Sequence, residues 1–403
     1  MIVSSILLYA GSSYWAVHSA LSLWKAKRAH RLYAGHRKWM DETAGEEPQK
    51  QTVLIIAVKK ISQTYERFLD FVLAQDYRNY RVVFVTESKS DPAYEVTLNR
   101  IAEHHGQPEA KIVVAGIATD CAQKVHNLRA ALLEVNDDDK IIAFADADLY
   151  GRCDWLACLT FPLNREQTDF TSGYRWFLPE NSSFPNRFIA TLGIAMESWI
   201  VPDWRMLLWG GSMAVRREIY DELNIYEKLD RCMNDDVRMT QLGHEAGKRM
   251  RYIRSAEAIS PVNYSVTSLF EFGRRQYMHL GIYRAVIHYL AFLFPLLYLC
   301  SFFLCFWMLI TGNLFVVITI FAVVTMNIYR QKIRGKYLQA RFSGDELQTL
   351  LALNQNSWWM DPIEKFVSLL ASGSALFSRQ MTWGGIHYRI HGPRSVEISG
   401  RDT

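Results

Sequence analysis

The chain has 403 residues, with 45 Lys and Arg against 41 Asp and Glu and a formal net charge of +4. So even a balance leaves no basic surface for nucleic acid, and six cysteines without a C-x-x-C pair define neither a disulfide framework nor a finger-type metal site. Hydrophobic residues make up 50% of the chain but concentrate at 1–24 and 284–329, which implies a membrane protein carrying a soluble insert of ordinary globular composition.

Residues 2–24 carry no Asp, Glu, Lys or Arg and are long enough to cross a bilayer. Lys25, Lys27, Arg28 and Arg31 follow this run rather than precede it. That order argues for an uncleaved anchor at 1–24, N-terminus outside and the rest entering the cytoplasm, and against a signal peptide. Residues 25–51, polar from 34 onward, read as a linker.

The soluble domain, 52–265, opens with the β-branched run Thr52–Val58, which suits a central parallel strand. A helix carrying Phe68, Leu69, Phe71, Val72 and Leu73 on one side follows, then a strand at Tyr80–Thr86, a helix at 93–105 and a strand at Lys111–Ala115. Lys124 to Val135 reads as a helix and Lys140–Ala145 as a strand ending in Asp146-Ala147-Asp148. Such alternation predicts β-α-β units and a parallel sheet, whose carboxyl edge is where α/β proteins bind ligands. Side chains two apart on a strand point the same way, so Asp146 and Asp148 can face one hard cation. Taken alone, a D-x-D is more often a strand-end turn.

Further on, Thr171–Trp176 reads as a short strand and Trp209-Gly210-Gly211-Ser212 as a tight turn feeding another. Asp235-Asp236 opens a helix, and a strand follows at Arg249–Arg254. Residues 266–284, with Phe270, Phe272, Arg274, Arg275, Tyr277, His279 and Tyr283, have the aromatic and basic content of an interfacial helix. A transmembrane hairpin at 285–329 turns at Thr311-Gly312-Asn313, and Arg330, Lys332, Arg334 and Lys336 return the chain to the cytoplasm. Residues 330–392 read as cytoplasmic, in-plane or re-entrant helices, with a third span at 363–377 left open, ending in Trp383-Gly384-Gly385. Residues 393–403 read as a mobile tail.

In this order the features resemble the membrane-bound, family 2-like GT-A glycosyltransferases, particularly the ceramide glucosyltransferase type. The likeness is carried by Ala57-Val58-Lys59, Ala74-Gln75-Asp76-Tyr77, Glu87 with Ser90-Asp91-Pro92-Ala93, Gln123-Lys124-Val125-His126-Asn127, the Asp146/Asp148 pair, Gly210-Gly211-Ser212, Asp235-Asp236 and the closing Trp-Gly-Gly-x-x-Tyr-Arg. It implies a Rossmann-like α/β domain of mainly parallel sheet, cytoplasmic, flanked by transmembrane and interfacial helices. It also implies that Ala57, Lys59, Glu87, Lys124, Asn127, Asp146 and Ala147 line the donor side, that Asp148 binds Mg²⁺ or Mn²⁺, and that Asp236 is the general base. Gly211, Ser212, Asp235, Arg275, Gln276 and His279 would face the acceptor and diphosphate. Two departures stand out: Glu87 replaces the commoner Asp, and Arg275-Gln276-Tyr277-Met278-His279 stands where the family closes with Gln or Arg, two residues, then Arg-Trp. The implied activity is inverting transfer of one sugar, glucose or a similar hexose, from a UDP-linked donor to a membrane lipid hydroxyl such as a ceramide-like acceptor, at the bacterial inner membrane. A processive polysaccharide synthase and a non-catalytic nucleotide-sugar-binding module are the alternatives.

Overall fold

A computed structural model of the chain describes residues 2–43, 49–106, 108–199 and 206–402. The first element, α1, is one unbroken helix from Ile2 to Thr43, so most of the expected linker at 25–51 is helical. Lys25-Ala26-Lys27-Arg28-Ala29 are strong helix formers, and the helix buries Ala26 and Ala29 against the protein body, which outweighs the breaking tendency of Gly35. His36 Nδ1 lies 2.7 Å from Ser255 Oγ, and Arg37 pairs with Asp154 at 2.9 Å.

Four strands follow as read from sequence: β1 (Thr52–Ala57), β2 (Tyr80–Thr86), β3 (Glu109–Val114) and β4 (Ile141–Asp146), parallel and in spatial order β3-β2-β1-β4. Both faces of β1 and β4 are covered. Val53, Ile55, Ile142 and Phe144 pack on the side of α4 (Gln123–Leu132). Leu54, Ile56, Ile141 and Ala143 pack on α2 (Tyr65–Leu73) and α5 (Trp155–Asn164). Burial on both faces is why these strands read as continuous apolar runs.

The sheet then continues as β7 (Ser212–Arg216), β6 (Phe170–Pro179), β8 (Met250–Val262) and β5 (Tyr150–Gly151). Strand β7 runs antiparallel to both its neighbours, whereas β6 and β8 are parallel, so the eight-stranded sheet is mixed but mainly parallel. The remaining helices of this domain are α3 (Pro92–Glu103), α6 (Phe184–Trp199), α7 (Arg217–Glu222), α8 (Ile225–Lys228) and the short α9 (Asp236–Glu245), which precedes β8.

Helix α10 (Val266–Tyr283) leads into α11 (Ala285–Ile310) and α12 (Leu314–Gln339); among the described residues these last two are long and apolar enough to cross a membrane. Helix α1 lies against both. Trp15 Nε1 donates to Tyr298 Oη at 2.9 Å, Asn313 donates to Tyr9 Oη at 3.3 Å, and Arg330 donates to Ser22 Oγ at 2.8 Å, so α1 runs parallel to α12. After α13 (Gly344–Gln355), helix α14 (Ser357–Phe377) packs on α10 and α11, and buries Asp361 against Arg330 at 2.9 Å. A buried acid held by an opposite charge accounts for the polar residues that make this segment hard to place from sequence.

The C-terminus is a three-stranded antiparallel sheet of β9 (Gln380–Trp383), β10 (Ile386–Gly392) and β11 (Ser395–Arg401). Residues 395–401 are therefore a paired strand rather than a mobile tail, with Tyr388 opposite Ile398 and Ile390 opposite Val396. Its alternation spans too few residues to announce a strand in the sequence. Gly384 and Gly385 take φ of 60° and 75°, which makes the tight turn between β9 and β10 possible.

Candidate active site

The carboxyl ends of β1, β2 and β4 meet at one edge: Ala57 is level with Asp146 on one side and Val85 on the other. At the end of β4, Asp146 Oδ1 pairs with Lys124 Nζ at 2.8 Å, and the same ammonium lies 3.5 Å from Asp235 Oδ2. Burial works against the charge on Lys124, but Asp146, Asp235 and Asp236 outweigh it and hold its pKa above the usual lysine value. For Asp146, burial pushes upward while Lys124 and Arg175 prevail, leaving the carboxyl below its ordinary range.

Asp148 accepts from Ser260 Oγ at 2.7 Å and has Arg175 at 3.8 Å, while its Oδ1 is buried without a hydrogen-bond partner. Two hard carboxylates with an unspent oxygen suit a hard cation that draws its remaining ligands from phosphate oxygens. Among the described residues no group of three or more His, Cys, Asp or Glu forms a self-sufficient cage. The donor set thus fits a metal that arrives with a phosphorylated ligand.

Asp236 sits at the first turn of α9, where its two oxygens accept from the backbone N–H groups of Gly210 (2.8 Å) and Val237 (2.6 Å). Burial, then the neighbouring Asp235, raise its pKa to about 6. Asp235 is fully buried, and neither of its oxygens has a hydrogen-bond partner.

The glycine pair is pressed into this acid cluster. A Cβ on Gly210 would meet Asp235 Oδ2 at 2.7 Å, and one on Gly211 would meet the Trp209 ring at 2.1 Å and Asp146 Oδ2 at 2.6 Å. We therefore expect Gly211→Ala to destabilise the fold by on the order of 1–3 kcal/mol, as overpacking does, and to weaken binding of the nucleotide sugar that the sequence resemblance implies by more than its stability loss explains. Thermal melting and calorimetric titration on the same preparation check both; unchanged ligand affinity would count against the cluster being the binding site.

One wall comes from α10. Arg275 stacks over Phe272 and Trp383 at 5.4 and 5.3 Å, and His279, buried, lies 5.8 Å from the Trp383 ring. Asn234 uses its Oδ1 to accept from Val237 N–H at 2.7 Å, which turns its amide nitrogen toward His279 Nδ1 at 3.3 Å. An amide nitrogen only donates, so Nδ1 accepts and the imidazole proton sits on Nε2. Burial, then Arg275 and Lys124, lower this imidazole to about 3 and keep it neutral. Its Nε2 has no partner and is a buried donor in reserve.

Other expected site residues fall elsewhere. Lys59 pairs with Glu87 at 3.2 Å at the neighbouring strand ends. Asn127 is buried and accepts from Gln123 at 2.8 Å, so it buttresses α4 instead of lining the recess. Ala147 packs against the core. Ser212 is fully buried and accepts from Trp155 Nε1 at 3.0 Å, which removes its hydroxyl from any acceptor. Gln276 is exposed, leaving Arg275 and His279 as the residues of α10 that face the site.

Sequence reading missed Arg175, Ser260, Asn234 and Arg401. Arg401, from β11, lies 3.8 Å from Glu87 and donates to Gln123 Oε1 at 3.1 Å, so the C-terminal sheet closes the end of the site near β2. Arg175 carried a signal, being the one charge in the strand Phe170–Pro179; Arg401 carried none.

A mainly parallel, Rossmann-like sheet with paired acids at the end of β4, a glycine turn behind them and a further acid pair opening the next helix defines a GT-A glycosyltransferase. Residues 30–396 match the sequence model of glycosyl transferase family 21, and the chain belongs to that family. No curated protein sequence matches it significantly. Among solved structures it is similar to a mannosyltransferase of Pyrobaculum calidifontis in complex with GDP-Man and Mn²⁺, at 16% identity and a TM-score of 0.49, covering 86% of this chain and 99% of that one. It is also similar to S. aureus TarS 1–349 in complex with UDP-GlcNAc, at 10% identity and a TM-score of 0.39, covering 87% and 100%. A third is glucosyl-3-phosphoglycerate synthase from Mycobacterium tuberculosis, at 14% identity and a TM-score of 0.39, covering 59% and 80%.

Proposed function

We propose that the chain moves a single hexose from a nucleoside-diphosphate donor, UDP-linked, to the hydroxyl of a membrane lipid such as a ceramide-like acceptor, with inversion, at the cytoplasmic face of a membrane. The observation that carries this reading is the placement of Asp236, a carboxylate poised near neutrality, across Gly210-Gly211 from the Asp146 and Lys124 pair. Its wall is the helix that runs directly into the apolar hairpin.

In this mechanism Asp148, with Asp146, would hold Mg²⁺ or Mn²⁺ together with diphosphate oxygens, and the cation would neutralise charge on the departing nucleotide. Glu87, Lys59 and Arg401 hold the nucleoside end. Arg275 and the Nε2–H of His279 face the diphosphate and acceptor, with the Trp383 ring lying 5.8 Å from His279. Asp236 takes the proton from the acceptor hydroxyl while that oxygen bonds the anomeric carbon and the bond to the diphosphate breaks on the opposite face. One displacement needs one base and no enzyme nucleophile, hence inversion. The helical bundle is filled by Trp15, Tyr298, Leu299, Cys305, Met308, Val316 and Val323, which supports single transfer over threading of a polymer.

The test is to incubate membranes containing the full chain with a panel of labelled nucleotide sugars and either cation, then identify lipid-extractable product by mass. One added hexose on a lipid is expected. A ladder of polymers would replace this reading with a processive synthase, and no labelled lipid from any donor would remove it.

A further inference from the structure

Beside Met278, Gly281 and Ile282 of α10, the end of α14, the foot of α11 and strand β10 enclose a cavity of about 330 Å³. A second, of about 360 Å³, adjoins it and shares Ser378, Arg379, Ile390 and His391. Neither is lined by an acidic residue. Arg379 donates only to the carbonyl of His391, at 3.3 Å, and among the described residues no carboxylate pairs with Arg379 or with Arg389, which lines the second cavity. Arg81, Arg129, Arg216, Arg249, Arg254 and Arg330, by contrast, all meet acids.

The rim is apolar and open. Phe377 is 91% exposed, Val286 72% and Tyr289 63%, all at the level where the apolar helix α11 begins. The basic side is held in place: Arg274 of α10 donates to Ser378 Oγ and, at 2.8 Å, to the carbonyl of Gln380, fixing the segment that carries Arg379. Exposed rings beside a membrane helix, with two uncompensated guanidinium groups just beyond them, match the layering of a bilayer surface, acyl region below and phosphate above.

We propose that this cleft binds the phosphate headgroup of an anionic phospholipid, separately from the transfer site. Met278 lines the cavity whereas the next residue, His279, turns toward Asn234, so the two sites occupy different faces of one helix. A neutral acceptor hydroxyl has no use for two free guanidinium groups, whereas a phosphodiester does, through charge-assisted paired hydrogen bonds. The proposal rests on the membrane placement given above but not on the sugar chemistry.

The test uses the full chain in neutral detergent, offered phosphatidylglycerol or phosphatidylcholine, with retained lipid read by native mass spectrometry. The chain should retain phosphatidylglycerol preferentially, and the double variant Arg379→Gln, Arg389→Gln should lose that preference about tenfold while keeping its thermal transition, both side chains being exposed. Equal retention of the two lipids, or a double variant that behaves as the parent, overturns the proposal. Displacement of the lipid by millimolar glycerol 3-phosphate overturns it in favour of a soluble phosphate ligand. Nucleotide-sugar binding measured on the same samples separates the two conclusions: retained phosphatidylglycerol with no donor binding sinks the transferase reading alone. Partition of the chain into the aqueous phase on detergent phase separation sinks the lipid site.

Discussion

Asp236→Asn should lower the transfer rate by about 10²–10⁴-fold, the usual contribution of a positioned base, and leave donor affinity nearly unchanged. Asn keeps one carbonyl oxygen for the backbone N–H of Gly210, and the N–H of Val237 retains Asn234 Oδ1 at 2.7 Å, so the start of α9 survives and the lost function is proton acceptance. The wild-type pH profile should agree. A carboxyl raised to about 6 is protonated, and useless as a base, below that pH, so kcat/KM should fall tenfold per pH unit on the acid side and level off above neutrality. In Asp236→Asn this acid limb should vanish along with most of the rate. A variant that keeps full activity would mean that the proton goes elsewhere, and Asp236 would revert to a helix-capping role.

The second large effect is expected at the β4 pair, where the two acids should fail differently. Asp148→Asn removes charge from a carboxylate whose Oδ1 is buried and uncommitted, so Mn²⁺-dependent donor binding should weaken by at least about 100-fold, exceeding the 10–100-fold typical of losing a mere supporting partner. Raising the Mn²⁺ concentration should recover part of it. Asp146→Asn instead removes the negative charge that holds Lys124 at 2.8 Å and lets the ammonium settle between Asp235 and Asp236. Extra Mn²⁺ should not repair that rearrangement. Titrating donor binding against metal in both variants decides the matter; identical, fully rescuable curves would contradict unequal roles for the two acids.

Legibility in the sequence followed how local the determinants are. Strands β1, β2 and β4 announce themselves because each is buried on both faces and therefore built around a run of at least four apolar residues. The Asp146/Asp148 and Asp235/Asp236 pairs are likewise short patterns, and their convergence could be expected from parallel topology, since such strands place their carboxyl ends at one edge. Lost to sequence reading were contacts set by distant parts of the chain. Arg401 reaches Gln123 across 278 positions, and Ser260 reaches Asp148 across 112. Ser212 shows the converse error: it belongs to a motif at the site, yet its hydroxyl turns inward to Trp155 because alternate residues of a strand face opposite ways. The continuity of α1 was masked by Gly35 and a polar composition, although solvent-exposed helix surface is polar in any protein.

That continuity gives α1 the property of a ruler. Trp15 is fixed to the apolar hairpin, Ser22 to Arg330, Tyr33 to the carbonyl of Ala340 and Arg37 to Asp154 of the sheet domain, all along one rod. An α-helix advances about 1.5 Å and turns about 100° per residue. A single residue inserted between 22 and 33 would thus swing the anchoring side chains to the wrong face while barely changing the length, and four would nearly restore the angle but lift the sheet domain by about 6 Å. The separation of the sheet domain from the apolar hairpin, and its orientation toward it, are therefore set by the count of residues in one helix, independently of any residue of the acid cluster.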